Sequence, residues 1–334
     1  MVKLSEIIRK TPEIKGQEER PQILDAVKAK ESVESLAEIK KIYENSILLT
    51  KIMMEDLRRG QSVEGEEITD IAETLVAKIR SGNNLLLSLI NIFAFYNEKE
   101  DFIHLHSINV SVLSACVGLA LEYEEDKLID FCASALLHDI GMLKIPLKVI
   151  TKPSKLDSEE EKMVKEHPLY GLELLRNIKN APKSAAMVIH QHHEKMDGTG
   201  YPEGKKGEDI AECARIVAIL EVYEALTHPR PYRRNKFIPY DAVKMIIQEG
   251  KNSFDLELVK TFLNFVTPYP IGSFILLNNG EIGRVVGVNE GLALRPVVEV
   301  YFDKEGKPPE KPTRIDLTKS SILYIEKAID ENDL

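Results

Sequence analysis

Three cysteines in 334 residues are too few and too scattered for a disulfide framework or a thiolate metal site. Cys116, Cys132 and Cys213 form no CxxC pair, and each lies in an apolar run, where a free cysteine acts as a small buried hydrophobe. That usage suits a reducing cytoplasm. Long apolar runs are also missing. The longest, Leu85 to Phe95, is broken by Ser88 and Asn91 and reaches about half of the ~20 residues a spanning helix needs. Met1 to Glu19 mixes charges throughout, unlike a secretory leader. The expectation is a cytoplasmic chain with no membrane segment. Positive charge is short as well: the formal net charge is -10 and the pI near 5.5. A broad basic face for duplex nucleic acid is therefore excluded. A small anionic ligand is not, because a metal site can be locally positive on an acidic protein. No short-period repeat or low-complexity tract occurs.

What is present is a set of metal-binding side chains. Five of the eight histidines, His106, His138, His167, His192 and His193, stand with Asp139 and Glu221 in the middle third of the chain. Imidazole and carboxylate hold first-row divalent metals. Brought together, they would make a pocket that turns water into a nucleophile near neutral pH. Adjacent His138-Asp139 follows the apolar run Leu128 to Leu137 at a predicted helix end. There the two side chains diverge by about 100°, so one can touch a metal while the aspartate bridges to a second. Two ions ~3.5–4 Å apart clamp an in-line displacement at phosphorus. His192-His193-Glu194 precedes Asp197-Gly198-Thr199-Gly200-Tyr201-Pro202, where the glycines allow tight turns and Tyr201-Pro202 stiffens the exit.

Hydrophobic periodicity predicts a mainly α protein. Residues 1 to 95 read as an N-terminal helical region for dimerisation or signalling: Ile23, Val27, Val33, Leu36, Ile39 and Ile42 recur at helical steps, and the period resumes at Ile68, Ile71, Leu75 and Ile79 after a break at Gly60 to Gly65. The stripe is either core or a homodimer seam, and the pattern does not separate the two. Residues 96 to 268 hold the motifs and read as a helical bundle. The acidic run after Asp157 is a solvated helix start. Residues 269 to 334 read as a small β module: a hairpin around Asn279-Gly280, a strand over 297–302 and another over 322–325. His104 and His190 are expected to face away from the site in exposed or capping roles, and His228 to sit in a turn. Tyr223 and Leu226 are expected in the core.

The strings HDIG, EHPLYG, HHEKMDGTGYP and VYEALTHPRPYR resemble the HD-GYP family, part of the HD superfamily of metal-dependent phosphohydrolases. The resemblance covers residues 100 to 250. It implies an HD-type helical bundle and a metal centre of iron or manganese. It also implies hydrolysis of cyclic di-GMP to linear pGpG and then GMP, by a bridging hydroxide attacking phosphorus. Carried onto this chain, the metal ligands are His106, His138, Asp139, His167, His192 and His193, with Glu221 where the family has aspartate. Arg230 and Arg233 match phosphate-holding positions, and Lys144 and Tyr201 are further candidates for substrate contact. Asp139 bridges. His106, His138 and Glu221 are expected to complete one metal site, and His167 with His192 the other, supported by His193.

Three departures stand out. Met142 replaces the lysine that follows HDIG, a lost charged contact of about 1.5–3 kcal/mol. Glu221 is one methylene longer than aspartate. Phe102 stands where trinuclear members carry glutamate, so two ions are expected and a third is left open. Two rival readings follow: a catalytically weak receptor for cyclic dinucleotides, and a phosphodiesterase for another cyclic nucleotide.

Overall fold

The structure is a computed structural model that describes residues 33–81, 90, 102–230, 237–263, 266, 268–289, 292, 294–309 and 313–329. The helix expected over 22–32, and 82–95 apart from Ile90, lie outside the described residues. Helix α1 (Val33–Arg58) turns at Gly60 into a short strand β1 (Val63–Glu64) and then α2 (Gly65–Arg80). Next come α3 (Phe102–Ala120), α4 (Glu125–Leu136), a 3-10 turn (Ile140–Lys144), α5 (Leu147–Ile150), α6 (Ser158–Lys165) and α7 (His167–Leu175). Strand β2 (Ile178–Lys179) pairs in parallel with β1. Helices α8 (Ala185–Gln191), α9 (Glu212–Thr227), α10 (Pro239–Glu249) and α11 (Leu256–Leu263) complete the helical part.

The chain divides into two compact units. One holds residues 38–237 and 242–265, so the N-terminal helices and the motif region share a core. Helix α3 runs through it, packed on α2, α4, α9 and α11. By length and composition α3 could cross a membrane, but most of it is buried inside the bundle, which accounts for its apolar surface. It also carries buried His106, Asn109 and serines that need partners there. Ile39, Tyr43, Met54 and Leu57 of α1 face inward, while Leu48, Leu49 and Ile52 are exposed. The acidic start of α6 is capped as its composition predicts: Asp157 accepts from the Glu159 and Glu160 amides, and Glu160 reaches back to the Asp157 amide.

The other unit contains a five-stranded antiparallel sheet in the order β6-β5-β4-β3-β7. Its strands are β3 (Phe274–Leu277), β4 (Ile282–Gly287), β5 (Val297–Phe302), β6 (Thr313–Asp316) and β7 (Ile325–Ile329). The Asn279-Gly280 turn joins β3 to β4, with Gly280 at a φ of 88°. Ile275, Leu277, Val285, Val298 and Leu317 fill the core with Tyr269. Two details differ from expectation. Strand β6 was hidden by its polar sequence Thr-Arg-Ile-Asp, and the last strand starts at Ile325 rather than Ile322.

Candidate metal centre

Four helix ends bring the motif side chains together. His106 lies early on α3, His138-Asp139 fills the gap between α4 and the 3-10 turn, His167 opens α7, and His192-His193 closes α8. Gly141 permits the central approach. A Cβ there would meet the His167 carbonyl oxygen at 1.8 Å and the Gly171 amide at 2.6 Å. No other residue lets the 3-10 turn lie so close to α7, so this glycine brings Asp139 to His167.

Asp139 sits between two imidazole pairs. Its Oδ2 is 3.7 Å from the Nε2 of both His106 and His138. Its Oδ1 is 3.2 Å from His167 Nε2 and 3.6 Å from His192 Nε2. Two ligand groups result, His106–His138–Asp139 and Asp139–His167–His192–His193, each with donor atoms within 4.8 Å of one another.

The outer nitrogens set the tautomers. His138 Nδ1 donates to the Ala135 carbonyl at 2.7 Å, His167 Nδ1 to Val164 at 2.7 Å, and His192 Nδ1 to Val188 at 2.9 Å. His106 Nδ1 donates to Glu224 Oε2. Arg230 Nη2 also lies 3.0 Å from His106 Nδ1, but a guanidinium has only protons to offer, and it donates to Glu224 at 2.6 Å. Each inner Nε2 therefore turns a lone pair toward Asp139. His106 and His138 Nε2 atoms stand 3.1 Å apart, as do those of His167 and His192. Facing lone pairs repel unless a cation or proton lies between them. The donor set fits divalent metal, with the outer hydrogen bonds that metal-binding histidines require.

The charges agree. Burial pushes the imidazole pKa of His138 down to about 3 and that of His167 to about 4, and that of His193 falls well below the usual range for the same reason. Burial lowers His192 too, but its hydrogen bond to Asp139 and the charges of Glu221 and Asp139 outweigh this and raise it. Burial favours the neutral acid at Asp139, yet the surrounding imidazoles, His138 foremost, hold its carboxyl well below the ordinary value.

The remaining candidates fall in different places. Glu221 Oε2 lies 3.4 Å from His193 Nδ1, beside the second ligand group rather than with His106 and His138. Burial lifts its carboxyl to about 8. Tyr201, joined to Pro202 by a cis peptide, stacks on the His193 ring at 4.6 Å and 24°. Lys144 is exposed and paired with Glu173. Arg233 lies outside the described residues. Arg230 is buried, paired with Glu224 and set 5.3 Å over the Phe102 ring, so its charge is neutralised inside the protein instead of facing outward to phosphate.

One expectation is corrected: His104 is buried, because α3 is enclosed by the bundle, while His228 sits in the bend that ends α9, as expected, and is buried there with its Nε2 2.9 Å from the Ile90 carbonyl. His190 is half-buried, and Tyr223 packs edge-on against Phe262. Two carboxylates were missed. Glu224 shares a helix face with Glu221 at a spacing of three, a signal open to sequence reading. Buried Glu194 accepts the amides of Glu203, Gly204 and Lys205 at 2.7, 3.1 and 3.0 Å, which ties down the loop carrying Tyr201. In Glu194→Gln one acceptor becomes a donor that faces an amide. The expected cost is about 1–3 kcal/mol, read as faster hydrogen exchange at residues 203–205 with the rest of the helical core unchanged.

The HD domain family model matches residues 89–258, more than half of the chain. The chain belongs to the HD domain family. It is similar in sequence to cyclic di-GMP phosphodiesterases. A second model, of the KOW domain associated with the HD domain, matches residues 274–334, which contain the five-stranded sheet. A cyclic di-GMP phosphodiesterase of Pseudomonas aeruginosa is 30% identical over 270 residues, covering 80% of this chain and 63% of that protein. A cyclic di-GMP phosphodiesterase of Borreliella burgdorferi is 26% identical over 232 residues, covering 69% and 60%. A 3'3'-cGAMP-specific phosphodiesterase of Vibrio cholerae is 29% identical over 209 residues, covering 60% and 45%. The HD-domain chain thus spans less than two thirds of each of these relatives. The solved structure of an HDG"Y"P protein from Bdellovibrio bacteriovorus shares the fold, with a TM-score of 0.56 at 20% identity over 73% of this chain and 76% of that one.

Proposed function

We propose that this protein hydrolyses cyclic di-GMP to linear pGpG, and onward to GMP, at a centre of two divalent ions, iron or manganese. The observation that carries the reading is Asp139, whose two oxygens face two separate imidazole pairs. His106 and His138 would hold one ion, and His167, His192 and His193 the other. Such a pair supplies Lewis acidity and lowers the pKa of water. The chain's own groups do the rest. Asp139 stays ionised and faces both halves. Tyr201 keeps its phenol protonated, burial first and then the charges of Glu221 and Asp139 raising its pKa, so it offers a hydrogen-bond donor. Exposed Lys144, together with Arg233, supplies cationic contact for the phosphates, while Arg230 serves His106 through Glu224.

The relative specific for 3'3'-cGAMP supports a second reading, in which the same chemistry acts on a different cyclic dinucleotide. Chain loaded anaerobically with iron or manganese is expected to linearise cyclic di-GMP, seen as pGpG by chromatography. Faster turnover of cyclic GMP-AMP would favour the second reading. Binding without turnover under both metals would refute the enzyme and leave a receptor, a role consistent with Met142.

A further inference from the structure

Helix α1 lies outside the span matched by the HD model, yet one of its side chains reaches the back of the metal centre. Tyr43 is fully buried, and its hydroxyl donates to Asn109 Oδ1. Asn109 Nδ2 donates to Glu224 Oε1 at 2.9 Å. Glu224 Oε2 accepts from His106 Nδ1. Tyr43, Asn109, Glu224 and His106 are 0%, 0%, 1% and 2% exposed, so water does not compete for any link. The polarity of the path is fixed. An ionised carboxylate only accepts, so the Asn109 amide must turn its nitrogen to Glu224 and its oxygen to the phenol. Flipped, that oxygen would face the carboxylate. Glu224 Oε2 also accepts from the Arg230 guanidinium at 2.6 Å, the pairing expected of a carboxylate.

We infer that Tyr43 is a positioning residue for the His106–His138 half of the metal centre, and that it ties the seating of α1 to retention of one ion. The path enters that half alone. His167 and His192 are oriented by the backbone carbonyls of Val164, Val188 and Ile189. Loosening α1 at Tyr43 removes the contact on Asn109 Oδ1 and weakens the Asn109 link to Glu224, so that Glu224 rests more on Arg230 and holds the His106 ring less firmly with its Nε2 bare. An N-terminal helix that shifts with an input would reach the centre through this route, in contrast to the backbone-held half.

The inference rests on the metal-centre reading, and the experiment separates the two. Full-length chain is stripped, then titrated anaerobically with Mn2+, with bound metal counted by elemental analysis and the spin-coupled pair followed by electron paramagnetic resonance. Wild type is expected to bind two ions. Tyr43→Phe, which keeps the ring and removes only the hydroxyl, is expected to weaken one ion about tenfold and leave the other unchanged, so that a mononuclear signal replaces the coupled one at limiting metal. Asn109→Ala should weaken the same ion, and the double variant should be no worse than Asn109→Ala alone. Equal loss of both ions, no loss, or additive loss in the double variant overturns the inference while the metal centre stands. Wild type that binds no ion overturns the centre itself, and the inference with it. Asn109→Ala carries the test by itself if Tyr43→Phe fails to fold.

Discussion

Asp139→Asn is expected to release both metal ions at once and to lower turnover by at least about a thousandfold. One carboxylate faces all four inner imidazoles, with Oδ2 toward His106 and His138 and Oδ1 toward His167 and His192. An amide has no charge and only one oxygen, so it cannot serve two cations. The lost stabilisation at a metal-assisted displacement is several kcal/mol, and ~4 kcal/mol is already about a thousandfold in rate. The metal-free fold should survive the change. The new amide N–H would face Nε2 lone pairs, a better match than the carboxylate makes without metal. His106→Ala supplies the contrast, since it removes a ligand from one group only and should leave one ion bound. Elemental analysis of both variants checks the pair. Two retained ions in Asp139→Asn would show that Asp139 does not bridge, and the two-site description would fall.

The parts of this site legible in sequence are those whose chemistry is local. His138-Asp139 announces itself by adjacency at a helix end, and Gly198, Gly200 and Pro202 by their turn chemistry. The sheet strands β3 to β5 show alternation with a glycine turn between them, and Ile275, Leu277 and Val298 do line the core. What escaped reading depends on which faces meet. The Arg230 guanidinium suits phosphate by type, but Glu224 on the last turns of α9 lies near enough to neutralise it. No spacing rule reports that pairing, because it forms between a helix and the segment after it. Glu221 reads as a ligand by position and lies beside His193 by geometry. Tyr43 is the extreme case. It sits 66 residues from Asn109 in the chain, within an apolar stripe that looks like ordinary core, and only the fold shows that its hydroxyl has a polar partner. Strand β6 escaped for the opposite reason, since an edge strand of alternating polar residues looks like a loop.

Removing metal and lowering pH should unfold the protein together, with the loss beginning near pH 6.5. The cause is the cluster of buried neutral imidazoles. His138 and His167 titrate at about 3 and about 4 when folded, and His193 also lies well below its ordinary value. In the unfolded chain each takes up its proton near ~6.5. Between those limits the unfolded state binds more protons, so stability rises with pH through the window and is lost as pH falls. Glu221 works the other way. Its folded carboxyl titrates at about 8, so across the same window the folded state holds a proton that the unfolded state has lost. His192, raised when folded, is protonated in both states below about pH 6 and contributes no slope. Asp139 is ionised in both states until the pH drops below ~3.9. Three imidazoles against one carboxyl leave a surplus near two protons, on the order of 2 kcal/mol per pH unit between about pH 6 and pH 5. Denaturant unfolding of chelator-treated protein at pH 7, 6 and 5 measures it. Metal-loaded protein should start higher at pH 7 and fall more steeply, because each proton taken up by an imidazole also competes with an ion. A stability that stays level from pH 7 to pH 5 without metal would mean that the imidazoles are solvated rather than buried around Asp139, and the lone-pair argument for the centre would lose its footing.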